Sequence, residues 1–168
     1  MARGDTPGMS DARPFRIVPI AATIADSVRR EQRSPQYGHP ATVEIAKGYG
    51  PCRQCLRTFR TGEEARILFT YDPVPAGSGL PQPGPVFIHQ EACTPFTGPD
   101  FPAELRALPL FLEGFGRGTW TVRREPANGR AIEADIAAML RDPAIELVQI
   151  RNAEAGCFIA RVERRPQA

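Results

Sequence analysis

Residues 128–163, NGRAIEADIAAMLRDPAIELVQIRNAEAGCFIARVE, decide the fold class. Ile132, Ile136, Met139 and Leu140 recur at i, i+4, i+7 and i+8, which places them on one face of an α-helix. Asn128-Gly129 opens that helix and Asp142-Pro143 stops it, because proline has no amide hydrogen to continue the ladder. Two strand-like runs follow, Leu147 to Asn152 and Cys157 to Glu163, around an Asn-Ala-Glu-Ala-Gly loop. Helix followed by hairpin is an α+β signature, not a strict βαβ alternation.

The same reading extends toward the start of the chain. Leu110 to Gly114 and Trp120 to Arg124 read as strands joined through Gly116 and Gly118, with a helical turn or two over Pro102 to Leu108. Arg66 to Tyr71 is a strand with Ile67, Phe69 and Tyr71 on one face. Val86 to His89 is another, and Thr42 to Ala46 a third, with Val43 and Ile45 expected inward. Ile20, Ile24 and Val28 share one face of a helical stretch entered at Pro19, preceded by a short strand Phe15 to Val18. Trp120, Phe69 and Phe87 are expected in the core. The expected fold is α+β: a mostly antiparallel sheet of short strands with two or three helices. One domain is expected over residues 14–165, after a flexible tail over residues 1–13.

Composition narrows the class further. Of 168 residues, 33 are proline or glycine (18 plus 15), above average but below the share of low-complexity chains. Twelve of them fall within residues 72–102, so a long Pro/Gly-rich loop is expected there. The apolar share of 42% supplies a core, and no apolar run reaches a membrane span. The opening residues lack an apolar signal core, so a cytoplasmic protein is expected. Twenty-one basic residues against nineteen acidic ones give a net charge of +2, too balanced for a nucleic-acid partner to be expected. Four cysteines are too few for a disulfide framework, which leaves metal, redox or packing roles.

One constellation carries chemistry. Cys52-Arg53-Gln54-Cys55 is a C-x-x-C pair and His89-Gln90-Glu91-Ala92-Cys93 an H-x-x-x-C pair. Three thiolates and one imidazole are a donor set for tetrahedral zinc. A tight knuckle aims both sulfurs of C-x-x-C at one point, and Gly48, Gly50 and Pro51 suit that turn. Three intervening residues would put His89 and Cys93 on one side of a helical turn. The competing readings are buried cysteines with a surface histidine, and a redox C-x-x-C whose thiols Arg53, Arg57 and Arg60 would acidify. A deaminase-like reading takes Pro51-Cys52-x-x-Cys55 and His89-x-Glu91 as halves of a zinc-hydrolase signature with Glu91 as acid/base. The halves stand in reverse order, and Cys93 would fill the position that a catalytic zinc keeps for water. Cys157 could act as a nucleophile with His39 as base, although a buried strand cysteine and an exposed loop histidine explain them more simply. Glu63 and Glu64 receive no chemical role.

Several segments together resemble a known family. They are Phe15-Arg16-Ile17-Val18-Pro19, Gly50-Pro51-Cys52-Arg53 with Gly62-Glu63, Tyr71-Asp72-Pro73, Gly84 to His89, and Arg151-Asn152-Ala153-x-x-Gly156-Cys157-Phe158. In this order they resemble the bacterial domain-of-unknown-function family 1203, from about Phe15 to Arg164. The resemblance implies a stand-alone, soluble bacterial protein and transfers no activity. It also implies that Cys52, Arg53 and Cys157 share a pocket. The expectation is therefore a zinc-stapled α+β protein, leaning away from an enzyme, with Cys52, Cys55, His89 and Cys93 as ligands. The alternatives are a zinc- or cysteine-dependent enzyme and a partner-binding protein using loop 72–102.

Overall fold

The structure, a computed structural model, describes residues 13–74 and 82–166. The expected tail therefore lies outside the described residues except for Arg13, as does part of the Pro/Gly-rich loop. The elements run β1 (Phe15–Val18), α1 (Ala22–Glu31), β2 (Thr42–Ile45), β3 (Ala65–Tyr71), β4 (Gly84–His89), β5 (Leu110–Phe115), β6 (Thr121–Ala127), α2 (Ile132–Leu140), β7 (Leu147–Asn152) and β8 (Phe158–Arg164). A 3-10 helix over Ala103–Ala107 stands where a helical turn or two was expected. The α+β class holds, but the strands divide into two antiparallel sheets. One has order β1-β8-β7-β5-β6 and the other β2-β3-β4. Among the described residues no helix is long and apolar enough to cross a membrane.

Each sheet has its own apolar core. On the five-stranded sheet, Leu112, Ile150 and Val148 face α2, whose Ile132, Ile136, Met139 and Leu140 are all buried, as their period predicts. Gly114 lets that helix come close. A Cβ there would stand 2.7 Å from Ile145 Cδ1 and 3.1 Å from Met139 Sδ, inside van der Waals contact. On the three-stranded sheet, Ile67 pairs with Ile88 and Phe69 with Val86, and this face packs with Ala25 and Val28 of α1. Ile20 is buried but precedes α1, correcting its expected place on the helix; its amide donates to the Arg53 carbonyl at 2.9 Å.

Two expectations about burial are corrected. Val43 and Ile45 pair with Ile67 and Ala65 and so lie on the core face of the sheet, yet they are 41% and 51% exposed. β2 is an edge strand of its sheet, open on one side. Trp120 is 75% exposed, not in the core, because it leads into β6, the edge strand of the other sheet. Phe69 is buried as expected, and Phe87 is half-buried.

Glu133 of α2 clamps this region by accepting hydrogen bonds from Arg106, with Arg13 2.8 Å away. The Arg106 hydrogen bonds hold its carboxyl at about 2, below the ordinary glutamate value of 4.5. A depressed carboxyl contributes stability above its unfolded pKa and loses it as the pH falls through the folded value. Glu133→Gln should therefore cost about 1 kcal/mol at pH 7. It should also reduce the wild-type loss of stability between pH 4.5 and about 2 by the share that Glu133 contributes. Urea midpoints measured across that range check both outcomes.

Candidate metal centre

The C-x-x-C pair forms a tight knuckle before β3. Cys52 accepts from the Leu56 amide through its carbonyl at 2.9 Å, and its own amide donates to the Arg57 carbonyl at 2.8 Å. Leu56 closes the turn at φ 59°, a left-handed conformation unusual for leucine. That conformation suits its position: Leu56 is buried in the core of the five-stranded sheet, while Cys52 and Cys55 belong to the core of the three-stranded one. Arg53 N–H donates to the Phe87 carbonyl at 2.9 Å, which sets the knuckle against β4. β4 ends at His89, and the chain then bends at Gln90 and Glu91. A bend, not the expected helical turn, returns Cys93 to the cluster.

All four expected ligands converge. One donor atom from each of Cys52, Cys55, His89 and Cys93 lies within 4.8 Å of every other. The Cys52 and Cys93 sulfurs are 3.8 Å apart, and Cys55 Sγ is 3.5 Å from His89 Nδ1. Cys52, Cys55 and His89 are buried and Cys93 is half-buried, with Cys55 and Cys93 lining an open groove along Thr94 to Gly98. This buried Cys3His cluster could hold a metal ion.

The surroundings treat the sulfurs differently. Hydrogen bonds from Cys52 and then Cys93 hold the Cys55 thiol far below its ordinary range. Cys52 and then Cys55 push Cys93 up and raise His89 to about 10. Each sulfur also meets a guanidinium. Arg53 faces Cys52, Arg57 is held above its usual range chiefly by Cys55, and Arg29 Nη2 stands 3.6 Å from Cys93 Sγ. Arg29 also donates to Gln54 Oε1 at 2.6 Å and to the His89 carbonyl at 3.0 Å, tying α1 to both halves of the cluster.

His89 presents Nδ1 to the sulfurs and Nε2 to Glu64, whose Oε2 is 3.6 Å away. Nε2 is buried and has no hydrogen-bond partner, so Glu64 is the carboxylate positioned for it. A carboxylate behind a ligating imidazole fixes its tautomer and orientation. Neither Glu64 nor Arg29 was marked by sequence. Glu64 lies among unremarkable turn residues, and Arg29 is far from the cysteines along the chain. Glu91, by contrast, is exposed and lines a cavity with Arg60, Glu63 and Glu64, outside the donor cluster. His39 is exposed and lies 2.8 Å from Thr70 Oγ1.

Arg53 links the knuckle to the second sheet. Its side chain is buried and donates from Nε to the Phe158 carbonyl at 2.6 Å and from Nη1 to the Pro51 carbonyl at 2.5 Å. Burial pulls its pKa down to about 10, opposed chiefly by Cys157 and then Cys52. It thus faces both cysteines at once, which brings Cys52, Arg53 and Cys157 into one neighbourhood.

A family model described as "Protein of unknown function (DUF1203)" matches residues 49–164. The match begins after α1, later than the resemblance from Phe15, so it includes all four donors, Glu64 and Cys157 but not Arg29. No curated protein and no solved structure matches the chain.

Arg53→Met should leave the Phe158 and Pro51 carbonyls without their donor and cost about 3 kcal/mol, lowering the thermal midpoint by about 10 °C. Arg29→Met, at a more solvated position, should cost about 1 kcal/mol. Thermal unfolding of the two variants side by side checks the order.

Proposed function

The chain belongs to the DUF1203 family of proteins of unknown function, and from that premise we propose that it is a zinc-binding protein whose ion is structural. Cys52, Cys55, His89 and Cys93 hold the ion, which clasps the knuckle, the end of β4 and the segment after it. The observation that carries this reading is the spacing of the donors. A tetrahedral zinc with Zn–S near 2.3 Å and Zn–N near 2.0 Å has S···S edges of about 3.8 Å and S···N edges of about 3.5 Å. The Cys52–Cys93 and Cys55–His89 distances are 3.8 and 3.5 Å.

Two further features support a structural role. Four protein donors complete the tetrahedron and keep no position for a reacting water. Three thiolates around a divalent ion carry one net negative charge, and Arg53, Arg57 and Arg29 supply its counter-charge. Hydrogen-bonded thiolates in such a setting make stable ligands and poor nucleophiles. Glu91, the acid/base of the deaminase-like alternative, is exposed, and Cys93 takes the position that a reacting water would need, so that alternative gains no support.

Purified protein should contain one zinc per chain by elemental analysis, and well under half an equivalent would sink the reading. A strong chelator should lower the thermal midpoint markedly, with added zinc restoring it. Cys52→Ser should lose the metal and much of the stability, whereas Cys157→Ser should keep both. Glu64→Gln should retain the stoichiometry but weaken zinc binding by about 10- to 100-fold in competition with a chromogenic chelator.

A further inference from the structure

Among the described residues the two sheets present four edge strands, β1 and β6 of the larger and β2 and β4 of the smaller. An open edge invites another strand, and proteins blunt it with proline, charge, bulges or a covering segment. Three of the edges carry such devices. β1 buries Phe15 and Ile17, and Arg165 Nε donates to the Phe15 carbonyl at 3.0 Å. β6 has Arg123, Arg124 and Pro126, and its pairing with β5 is bulged at Gly114 and Phe115. β4 is covered by the knuckle, with Cys52 bridged to Phe87 and the Arg53 amide on the Phe87 carbonyl. β2 is different. Thr42-Val43-Glu44-Ile45 holds no proline and no bulge, its single charge is paired with Arg66 of the same sheet, and Val43 and Ile45 are exposed.

The ladder decides which backbone groups β2 leaves open. Ala46 donates to the Glu64 carbonyl at 2.8 Å, one step beyond the Ile45–Ala65 pair. Bonding alternates along an antiparallel strand, so Thr42 and Glu44 also aim their backbone groups at β3. Val43 and Ile45 aim theirs outward, and among the described residues nothing meets them there. Ala41 shares their parity but is taken, since its amide donates to the Gln32 carbonyl at 2.9 Å. The free edge is therefore the N–H and C=O of Val43 and Ile45, flanked on the core face by their own exposed side chains.

We propose that a second copy of this chain occupies this edge, β2 against β2, antiparallel about a two-fold axis at Glu44. In that register Val43 and the second copy's Ile45 exchange both backbone hydrogen bonds, and Ile45 does the same with the second copy's Val43. The same pairs cover one another's apolar side chains. A slip of one residue would send those side chains to opposite faces. Centring on Val43 would need the Ala41 amide, which Gln32 holds, and centring on Ile45 would set Lys47 against valine. Charge agrees with the Glu44 axis. Two Glu44 carboxylates come side by side there, but each accepts from Arg66 Nε and Nη2 at 3.0 and 2.8 Å and has Lys47 Nζ at 3.5 Å. The Lys47 side chain is 81% exposed, so the ammonium beside one carboxylate also stands beside the other. The inference does not rest on the zinc reading, since β2 supplies none of the four donors.

The test is sedimentation of the full chain, supplied with zinc, over about 5 to 500 µM, where a short edge pairing should show a monomer–dimer equilibrium with Kd about 50 µM. Amide hydrogen exchange at the two extremes reads the register. Val43 and Ile45 should exchange severalfold more slowly at the higher concentration, while Thr42 and Glu44, bonded to β3, should not change. Val43→Pro removes an outward N–H and leaves the β2–β3 ladder whole, so it should abolish the dimer and hold the thermal midpoint within about 3 °C. Ile45→Lys, at an exposed side chain, should weaken the dimer at least about tenfold and decides the matter should the proline variant fail to fold. A chain that stays monomeric throughout would overturn the proposal and leave the edge to a different partner. So would a dimer that Ile45→Lys leaves intact, or Val43 and Ile45 amides that exchange equally fast at both concentrations.

Discussion

A guanidinium taken out of water without a carboxylate beside it costs several kcal/mol unless every donor finds an acceptor. Arg53 meets that constraint with two carbonyl oxygens and with the charge of the nearby Cys157 and Cys52 sulfurs, and these partners come from different parts of the chain. The Pro51 carbonyl is local to the knuckle, while the Phe158 carbonyl is the first residue of β8 in the other sheet. Once Arg53 is satisfied, the knuckle has one position relative to β8. Leu56 can then enter the core of the five-stranded sheet while its neighbours Cys52 and Cys55 stay in the other. Two separate apolar cores are thus bolted together at a polar point.

The same knuckle explains the arginine-rich composition locally. Twenty of the 21 basic residues are arginines, and around the cluster the difference from lysine has consequences. A planar guanidinium can donate to a carbonyl and a sulfur together, as Arg29 does with the His89 carbonyl and Cys93. A lysine ammonium at the same place would be more strongly hydrated and would lack the fixed fork. The collar therefore neutralises thiolate charge and, through the same atoms, fixes backbone position.

What could be read from sequence was what is local. The four donors sit in two short pairs, and α2 with the β7–β8 hairpin declares itself by period and by turn residues. What could not be read was what distant contacts decide. Nothing in Glu63-Glu64 shows that the second carboxylate backs His89, and nothing in the α1 sequence shows that Arg29 reaches Cys93. Val43 and Ile45 alternate as inward residues do, and their register does place them on the core face. Their exposure follows from β2 lying at the edge of its sheet, which alternation does not reveal. Trp120 misled in the same way, through a hydrophobicity that an edge strand leaves uncovered. The division into two sheets was equally hidden, because a strand's pattern tells which face is buried and not which sheet it joins.

One outer pairing of the larger sheet joins its first and last strands in chain order, with Phe15 opposite Arg164 and Val18 opposite Arg161. During translation the β1 segment waits unpaired until β8 has been made. The strands of the smaller sheet pair only with nearer segments, so they can assemble while the remainder is still being synthesised, and Arg53 of the knuckle meets its Phe158 acceptor once β8 is made. The nascent protein thus matures in an order set by its topology, small sheet first. Its β1 strand is the part most in need of protection from other chains until β8 leaves the ribosome.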